Sequence, residues 1–396
     1  MAPLNKRLVA IIFKAISLSL LLWGCSSFGQ TSPNVALPEP STTSWLMEGG
    51  SATRSRATSG EVGYPLQLAV GLSLGGDTQY ASPVTIDREL LFVEGDKRLH
   101  VFSLGDRTQR WEIPVLGSYL SPAVAGETVF VRAESGTDGY LLALNASSGT
   151  QSWQYKFEAV GSSNDNIGGH VTSPVVVDGL VVVGAAKTIE ALDAKTGKPR
   201  WRTELKDAIS SSLAVADGLA YVTDLTTLYA LDLYSGGEQW QRQFEQIPPM
   251  FSPIVAGDRV FIASKAGIHA LNRLDGTTLW DRSFGDQPLI PAAADGDRFF
   301  VKTINQLYML DSKTGDLLWQ YEALNYVSIP AVTAEHLYIV TRADGGSQLR
   351  VLQKQSGKEL WRSENLDLNN GSPVIAGAIV YVRTKAGEVF GFQSKE

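Results

Sequence analysis

The sequence predicts an all-β protein, an eight-bladed β-propeller of four-stranded antiparallel blades. Seven tryptophans recur every 39 to 48 residues, at Trp111, Trp153, Trp201, Trp240, Trp280, Trp319 and Trp361. A period near forty residues is typical of a repeat architecture. Between the tryptophans lie short apolar runs with period-two alternation, punctuated by Gly, Asp and Asn, which predicts strands rather than helices.

Each repeat opens on a Ser-Pro phrase followed by alternating apolar residues and a turn. Clear copies begin at Ser82, Ser121, Ser173, Ser252 and Ser372, and degenerate copies at Ser212, Ile290 and Ile329. Eight openings predict eight blades. A β-solenoid is the alternative architecture, and four strands in each forty-residue unit favour the propeller.

Each repeat closes on a phrase such as ALDAKTGKPRW, from Ala191 to Trp201. Asp or Asn in this phrase can accept hydrogen bonds from turn N–H groups, and Gly tolerates a positive φ. The tryptophan then falls on the fourth strand. We expect its ring to fill the gap between neighbouring sheets, with its N–H finding a partner.

The eighth repeat opens at Ser372, but the sequence ends at Glu396 without a closing tryptophan strand. The apolar segment Pro65–Gly76 has the length and alternation to supply that strand. We therefore expect the N-terminal strand to complete the C-terminal blade.

The first 24 residues read as a lipoprotein signal peptide. Basic residues precede an apolar run that is too short for a membrane-spanning helix. The following Cys25 is the only cysteine, so no intramolecular disulfide can form. The stretch Leu22–Cys25 resembles a bacterial lipobox, which implies lipidation of Cys25 and anchoring at the periplasmic face of the outer membrane. An uncleaved N-terminal anchor is the alternative.

Residues 25–44 are rich in Ser, Thr and Pro and predict a flexible tether, which leaves residues 45–396 for the propeller. The chain has a formal net charge of −7, and removal of the leader leaves 31 basic against 41 acidic residues. That balance, without a basic run, disfavours nucleic-acid binding.

No catalytic, cofactor-binding or metal-binding residue is predicted. His100 and His269 occupy a strand position held by tyrosine in sister repeats, His170 lies in a long interrepeat segment, and His336 is expected in a turn. No HxxH or HExxH spacing is present.

The repeat phrases, ALDAKTGKPRW above all, resemble the PQQ-like (quinoprotein-type) β-propeller repeat over residues 45 to 396. Because it combines these repeat phrases with a lipobox and eight units, the chain is similar to the BamB-like outer-membrane assembly lipoproteins. This resemblance implies a non-catalytic scaffold without a cofactor. Its implied partners are a BamA-like outer-membrane barrel protein and nascent β-barrel proteins.

The segment between Trp153 and Ser173 is about twice the usual interrepeat length, and a partner-binding loop is one interpretation of it. Its candidate contact residues are Asn164, Asp165, Asn166 and His170. A solvated insertion is the other interpretation.

Two rival functions share the same repeat. Quinoprotein dehydrogenases, which bind PQQ with calcium, resemble this chain in the repeat. They are commonly much longer and carry an adjacent cysteine pair, which this sequence cannot form because Cys25 is its single cysteine. A propeller that binds another periplasmic or envelope partner, or a ligand in its channel, is the second rival, because fold alone does not decide function.

Overall fold

The computed structural model describes residues 44–74, 84–115, 120–135, 138–157, 172–247, 251–284 and 287–395. Within these ranges every regular element is a β-strand, and the strands form eight four-stranded antiparallel sheets. The predicted fold class, an eight-bladed β-propeller, is confirmed.

The first four blades follow one another in the chain without exchange of strands. Blade 1 is β2 (Thr85–Asp87), β3 (Leu90–Gly95), β4 (Arg98–Ser103) and β5 (Gln109–Pro114). Blade 2 is β6 (Ala123–Ala125), β7 (Thr128–Ser135), β8 (Asp138–Asn145) and β9 (Gln151–Lys156). Blade 3 is β10 (Val175–Val177), β11 (Leu180–Ala185), β12 (Thr188–Asp193) and β13 (Pro199–Glu204). Blade 4 is β14 (Ala214–Ala216), β15 (Leu219–Thr223), β16 (Thr227–Asp232) and β17 (Glu238–Gln243).

The remaining blades repeat the pattern until the last, which takes one strand from the N-terminal side. Blade 5 is β18 (Ile254–Ala256), β19 (Arg259–Ser264), β20 (Gly267–Asn272) and β21 (Thr278–Arg282). Blade 6 is β22 (Ile290–Asp295), β23 (Arg298–Lys302), β24 (Gln306–Asp311) and β25 (Leu317–Glu322). Blade 7 is β26 (Ala331–Val332), β27 (His336–Ala343), β28 (Gly346–Gln353) and β29 (Glu359–Arg362). Blade 8 is β30 (Val374–Ala376), β31 (Ile379–Arg383), β32 (Val389–Ser394) and β1 (Leu66–Leu72).

The burial of each strand follows its place in the blade. The second strand of blade 3, β11, is buried at all six residues, because both of its faces pack against neighbouring blades. The fourth strand, β13, buries only Trp201 and exposes most of the rest. Core clusters therefore lie between adjacent blades, as in a repeat protein whose units stabilise one another.

The ring is closed by the predicted clasp. Strand β1 pairs antiparallel with β32, from Leu66 opposite Ser394 to Leu72 opposite Val389. Val70 is fully buried in this pairing and faces Gly391. The expectation that an N-terminal strand completes the C-terminal blade is confirmed, and blade 8 joins residues from opposite ends of the sequence.

Antiparallel order divides the loops between two faces of the propeller. The turns from first to second strand and from third to fourth strand lie at one end, which we call the turn face. The turns from second to third strand lie at the other end, together with the crossings to the next blade, and we call this end the crossover face. First strands of successive blades lie beside one another and line the central channel.

Candidate functional site: a filled channel and the contacts between blades

Residues 45–58, which we call the strap, run along the inner edge of the propeller. Trp45 and Ile86 exchange two backbone hydrogen bonds of 2.9 and 2.8 Å. Five further first-strand N–H groups donate to strap carbonyls at 2.7 to 3.0 Å: Val124 to Leu46, Val215 to Ala52, Val255 to Thr53, Ala294 to Ser55 and Val332 to Arg56. All six first-strand residues occupy the same repeat position, so the strap provides partners for inner edges that have no further strand beside them.

Two strap arginines point into the propeller and are buried. The Arg54 side chain donates to the Leu213 carbonyl, and Arg56 donates to the carbonyls of Pro330 at 3.1 Å and Pro373 at 3.2 Å. The Arg56 guanidinium also lies 5.3 Å from the Trp45 ring centroid. Desolvation lowers the pKa of Arg56 to about 10, so the side chain remains charged at neutral pH.

Glu48 is the counter-charge within the strap. Its carboxylate lies 3.1 Å from the Arg54 guanidinium and accepts a hydrogen bond of 3.2 Å from the Ser212 hydroxyl. Desolvation raises the pKa of Glu48, but the charge of Arg54 and hydrogen bonds from Ser173 and Arg54 outweigh it, so the pKa lies below its ordinary value. The carboxylate is therefore held as an anion beside a buried cation.

The strap folds back on itself as well as following the inner edge. Gly49 accepts a hydrogen bond of 3.0 Å from the Arg56 N–H. Gly50 has a φ of 83°, and a Cβ there would lie 3.2 Å from the Trp45 ring, so both its conformation and its contact favour glycine. With Trp45 1% exposed, these contacts fill the channel with the chain's own atoms at mid-height of the first strands.

Beyond the strap, the chain is fixed to the turn face of blade 7. The Glu61 carboxylate bonds the His336 ring at 2.5 Å and accepts from the Thr333 hydroxyl at 3.0 Å. His336 was expected in a turn and is instead the first residue of β27, since the preceding turn is only three residues long.

The repeat tryptophans lie between blades. Their indole N–H groups donate to the turn of the following blade at 2.7 to 3.1 Å: Trp111 to Ala146, Trp153 to Ala194, Trp201 to Leu233, Trp240 to Arg273, Trp280 to Ser312 and Trp319 to Lys354. Each of these six rings also lies against the turn glycine of that following blade, at Gly149, Gly197, Gly236, Gly276, Gly315 and Gly357. Trp361 packs against the core of blade 8.

His100 and His269 lie on the third strands of their blades. This position was predicted because tyrosine occupies it in sister repeats. The His269 ring contacts the Ser264 hydroxyl through Nε2 and the Asp281 carboxylate through Nδ1, each at 2.6 Å. This Ser–His–Asp arrangement resembles a serine hydrolase triad. However, the Ser264 hydroxyl also accepts the Ala266 N–H at 3.0 Å, which identifies it as a turn cap. We therefore interpret the cluster as structural.

The described ranges contain no group of three His, Cys, Asp or Glu side chains placed to hold a metal. In the same ranges, no helix is long and apolar enough to cross a bilayer. The predicted lipidation residue Cys25 and the predicted loop residues Asn164, Asp165, Asn166 and His170 lie outside the described residues.

The strap is the functional element that the sequence reasoning missed. Its signal was present, because Trp45, Gly49 and Gly50 precede the first repeat and belong to no copy of it. Nothing in their spacing, however, indicates that the backbone of the strap bonds first strands in six different blades.

Eight blades of this repeat, with tryptophans seated on the turn glycines of the following blades, define a quinoprotein-type β-propeller. The chain belongs to the family described as outer membrane protein assembly factor BamB, whose model matches residues 50–165, 156–290 and 264–396. Outer membrane protein assembly factor BamB of Legionella pneumophila (strain Paris) is 27% identical over 223 residues. That alignment covers 54% of this chain and about half, 49%, of the Legionella protein.

Solved structures share the fold. BamB from Moraxella catarrhalis has a TM-score of 0.62 at 17% identity, covering 83% of this chain and 100% of that chain. A europium-containing methanol dehydrogenase has a TM-score of 0.71 at 14% identity, covering 90% of this chain and 99% of that chain. At these identities both likenesses concern the architecture alone.

Proposed function

We propose that this chain is a non-catalytic scaffold lipoprotein that assists the assembly and insertion of β-barrel proteins into the outer membrane, within a Bam-type complex. The observation that carries the proposal beyond family membership is the filled channel. Trp45, Arg54 and Arg56 occupy the position where a propeller of this class could otherwise receive a ligand from the inner edges of its blades. Partner binding is then expected at the outer faces and loops of the propeller.

A quinone cofactor with a bound metal fits the described residues poorly. The cofactor would need a set of acidic or imidazole ligands beside the axis, whereas the described axial groups are two arginines and one glutamate already paired with Arg54. We therefore assign no redox step to this chain.

The proposal places Cys25 as the lipidated residue, residues 25–44 as the tether, and the propeller at the periplasmic face of the outer membrane. The partners are a BamA-like barrel protein and nascent β-barrel proteins. A rigid ring of eight blades offers loops that are held in fixed relative positions, which suits a docking platform better than a hinged enzyme.

The test is affinity purification of the tagged full-length protein from its own membranes, with its partners identified by mass spectrometry. We expect a BamA-like barrel protein in stoichiometric amount. Cys25→Ser is the control for the anchor, and this variant should still recover the partner from detergent-solubilised membranes although it no longer carries a lipid. Recovery of a different envelope partner would favour the alternative, a propeller with another client. Binding of pyrroloquinoline quinone in an absorbance titration would favour the enzyme.

A further inference from the structure

One patch on the crossover face combines exposed apolar side chains with positive charge that has no carboxylate partner among the described residues. Ile304 is 67% exposed and Leu324 is 73% exposed, although backbone hydrogen bonds fix the segments that carry them. The Ile304 carbonyl accepts the Val327 N–H at 2.9 Å, and the Asn305 carbonyl accepts the Ala323 N–H at 2.8 Å. These bonds tie the β23–β24 turn to the crossing that follows β25, so the two apolar residues lie on adjoining segments.

Beside them, two cations lie close to one aromatic ring. The Lys302 ammonium lies 5.3 Å and the Arg342 guanidinium 5.9 Å from the Tyr326 ring centroid. The Tyr326 hydroxyl donates to the Asn370 carbonyl at 2.7 Å, and Arg342 donates to the Asn370 side chain at 3.2 Å. The ring and the Arg342 guanidinium are therefore both held by Asn370, on the crossing from blade 7 to blade 8.

Lys302 is unusual among these groups. It is only 4% exposed, and desolvation alone lowers its pKa to about 8, with no carboxylate among the described residues to offset the burial. Sister blades place Val340 and Ala263 at this repeat position but also the buried Arg132 and Arg383, so the fold tolerates a cation there without requiring one. Burial of a lysine without a counter-charge reduces stability, and groups with strongly shifted pKa values concentrate at functional sites.

Extending the proposed function, we propose that this patch, formed by Lys302, Ile304, Leu324, Tyr326 and Arg342, docks a segment of a partner protein that carries a carboxylate next to an apolar side chain. The apolar side chain covers Ile304 and Leu324, and the carboxylate meets the two cations near Tyr326. Since this chain carries a net charge of −7, a local pair of unneutralised cations marks a place where an acidic segment is attracted rather than repelled.

An anionic membrane surface is a weaker match to the same patch. Two cations contribute about 1 kcal/mol each to attraction by anionic lipid, which the net negative charge of the chain opposes. A carboxylate on a folded partner can instead be delivered to the nearly buried Lys302 in one fixed geometry.

The experiment uses the full-length protein with a photo-activated cross-linking residue at position 324, and for comparison at position 274. Leu274 is a matched control because it is 64% exposed and lies on the β20–β21 turn of blade 5, at the turn face. After irradiation in membranes, the cross-linked peptides are sequenced. We expect position 324 to capture a partner segment with Asp or Glu within a few residues of the adduct, and position 274 not to capture it.

Lys302→Met supplies the charge test. We expect at least a tenfold loss of the partner identified at position 324, with no loss of thermal stability, whereas Leu274→Ser keeps full binding. A lysine with a purely structural role would give a less stable protein with unchanged partner recovery.

The failures of the two proposals can be told apart. If the wild type recovers a barrel-assembly protein and Lys302→Met and Leu324→Ser recover it equally, the proposed function stands and the docking patch is wrong. Adducts to lipid alone at position 324 also overturn the patch. If the captured acidic segment belongs to a protein outside barrel assembly, the patch stands and the proposed function is wrong.

Discussion

Gly236 lies directly against the ring of Trp201 in the preceding blade. A Cβ at Gly236 would come within 2.5 Å of a ring carbon, and the residue has a φ of 73°. The glycine of each closing phrase therefore has two roles. It permits the turn of its own blade, and it leaves room for the tryptophan of the blade before it.

The two roles can be separated by comparing Gly236→Ala with Gly179→Ala. Gly179 has a φ of 74° but open space around its Cβ position. We expect Gly179→Ala to cost about 1 kcal/mol through backbone strain. Gly236→Ala should cost about 1–3 kcal/mol more, because the Trp201 ring must move. Urea unfolding of both variants measures the difference. Equal losses would show that the ring contact contributes nothing.

Trp201 itself gives a second prediction. The side chain is 8% exposed, and its N–H donates to the Leu233 carbonyl at 2.7 Å. We expect Trp201→Ala to destabilise the protein by about 3–5 kcal/mol, since it leaves a cavity between blades 3 and 4. Trp201→Phe should cost less, because it keeps most of the ring and loses the hydrogen bond. Thermal unfolding is the measurement. An unchanged melting temperature for Trp201→Ala would contradict the assignment of these rings to the inter-blade core.

Such contacts could be predicted because they are local and repeated. Asp193, for example, accepts the Thr196 N–H at 2.9 Å within its own turn, and the same phrase recurs around the ring. The clasp was predictable because a blade with three strands needs a fourth. The strap was not, since Arg56 contacts Pro330 and Pro373 across about 300 residues of sequence and has no sister residue to indicate its place. The proposed docking patch has no repeated pattern to indicate it either, because Lys302 ends β23 and Tyr326 lies on the crossing that follows β25.

The clasp gives a third prediction. Val70 on β1 is fully buried against β32, whereas the next residue, Gly71, is exposed on the same strand. We expect Val70→Asp to cost more than about 3 kcal/mol, because it buries an unpaired charge at the closure of the ring. Gly71→Asp should cost less than about 1 kcal/mol. Hydrogen exchange of β32 amides reports on the closure directly. Equal protection of those amides in both variants would show that the ring does not depend on the apolar face of β1.

The fourth prediction concerns the pH dependence that Lys302 imposes on stability. Its pKa falls from 10.5 to about 8 on folding, so at neutral pH the buried charge opposes folding by about 3 kcal/mol at most. Between pH 8 and 10.5 the unfolded chain binds more protons at this site than the folded chain, and stability from this group therefore rises with pH. Lys302→Met lacks the charge at every pH. We expect it to be more stable than the wild type at pH 7 and to approach the wild-type stability by pH 10. Chemical unfolding of both proteins at the two pH values measures this convergence. A Lys302→Met protein that is less stable at pH 7 would show that the ammonium group makes a favourable structural contact. In that case the missing counter-charge, and with it the argument for an acidic partner, would be lost.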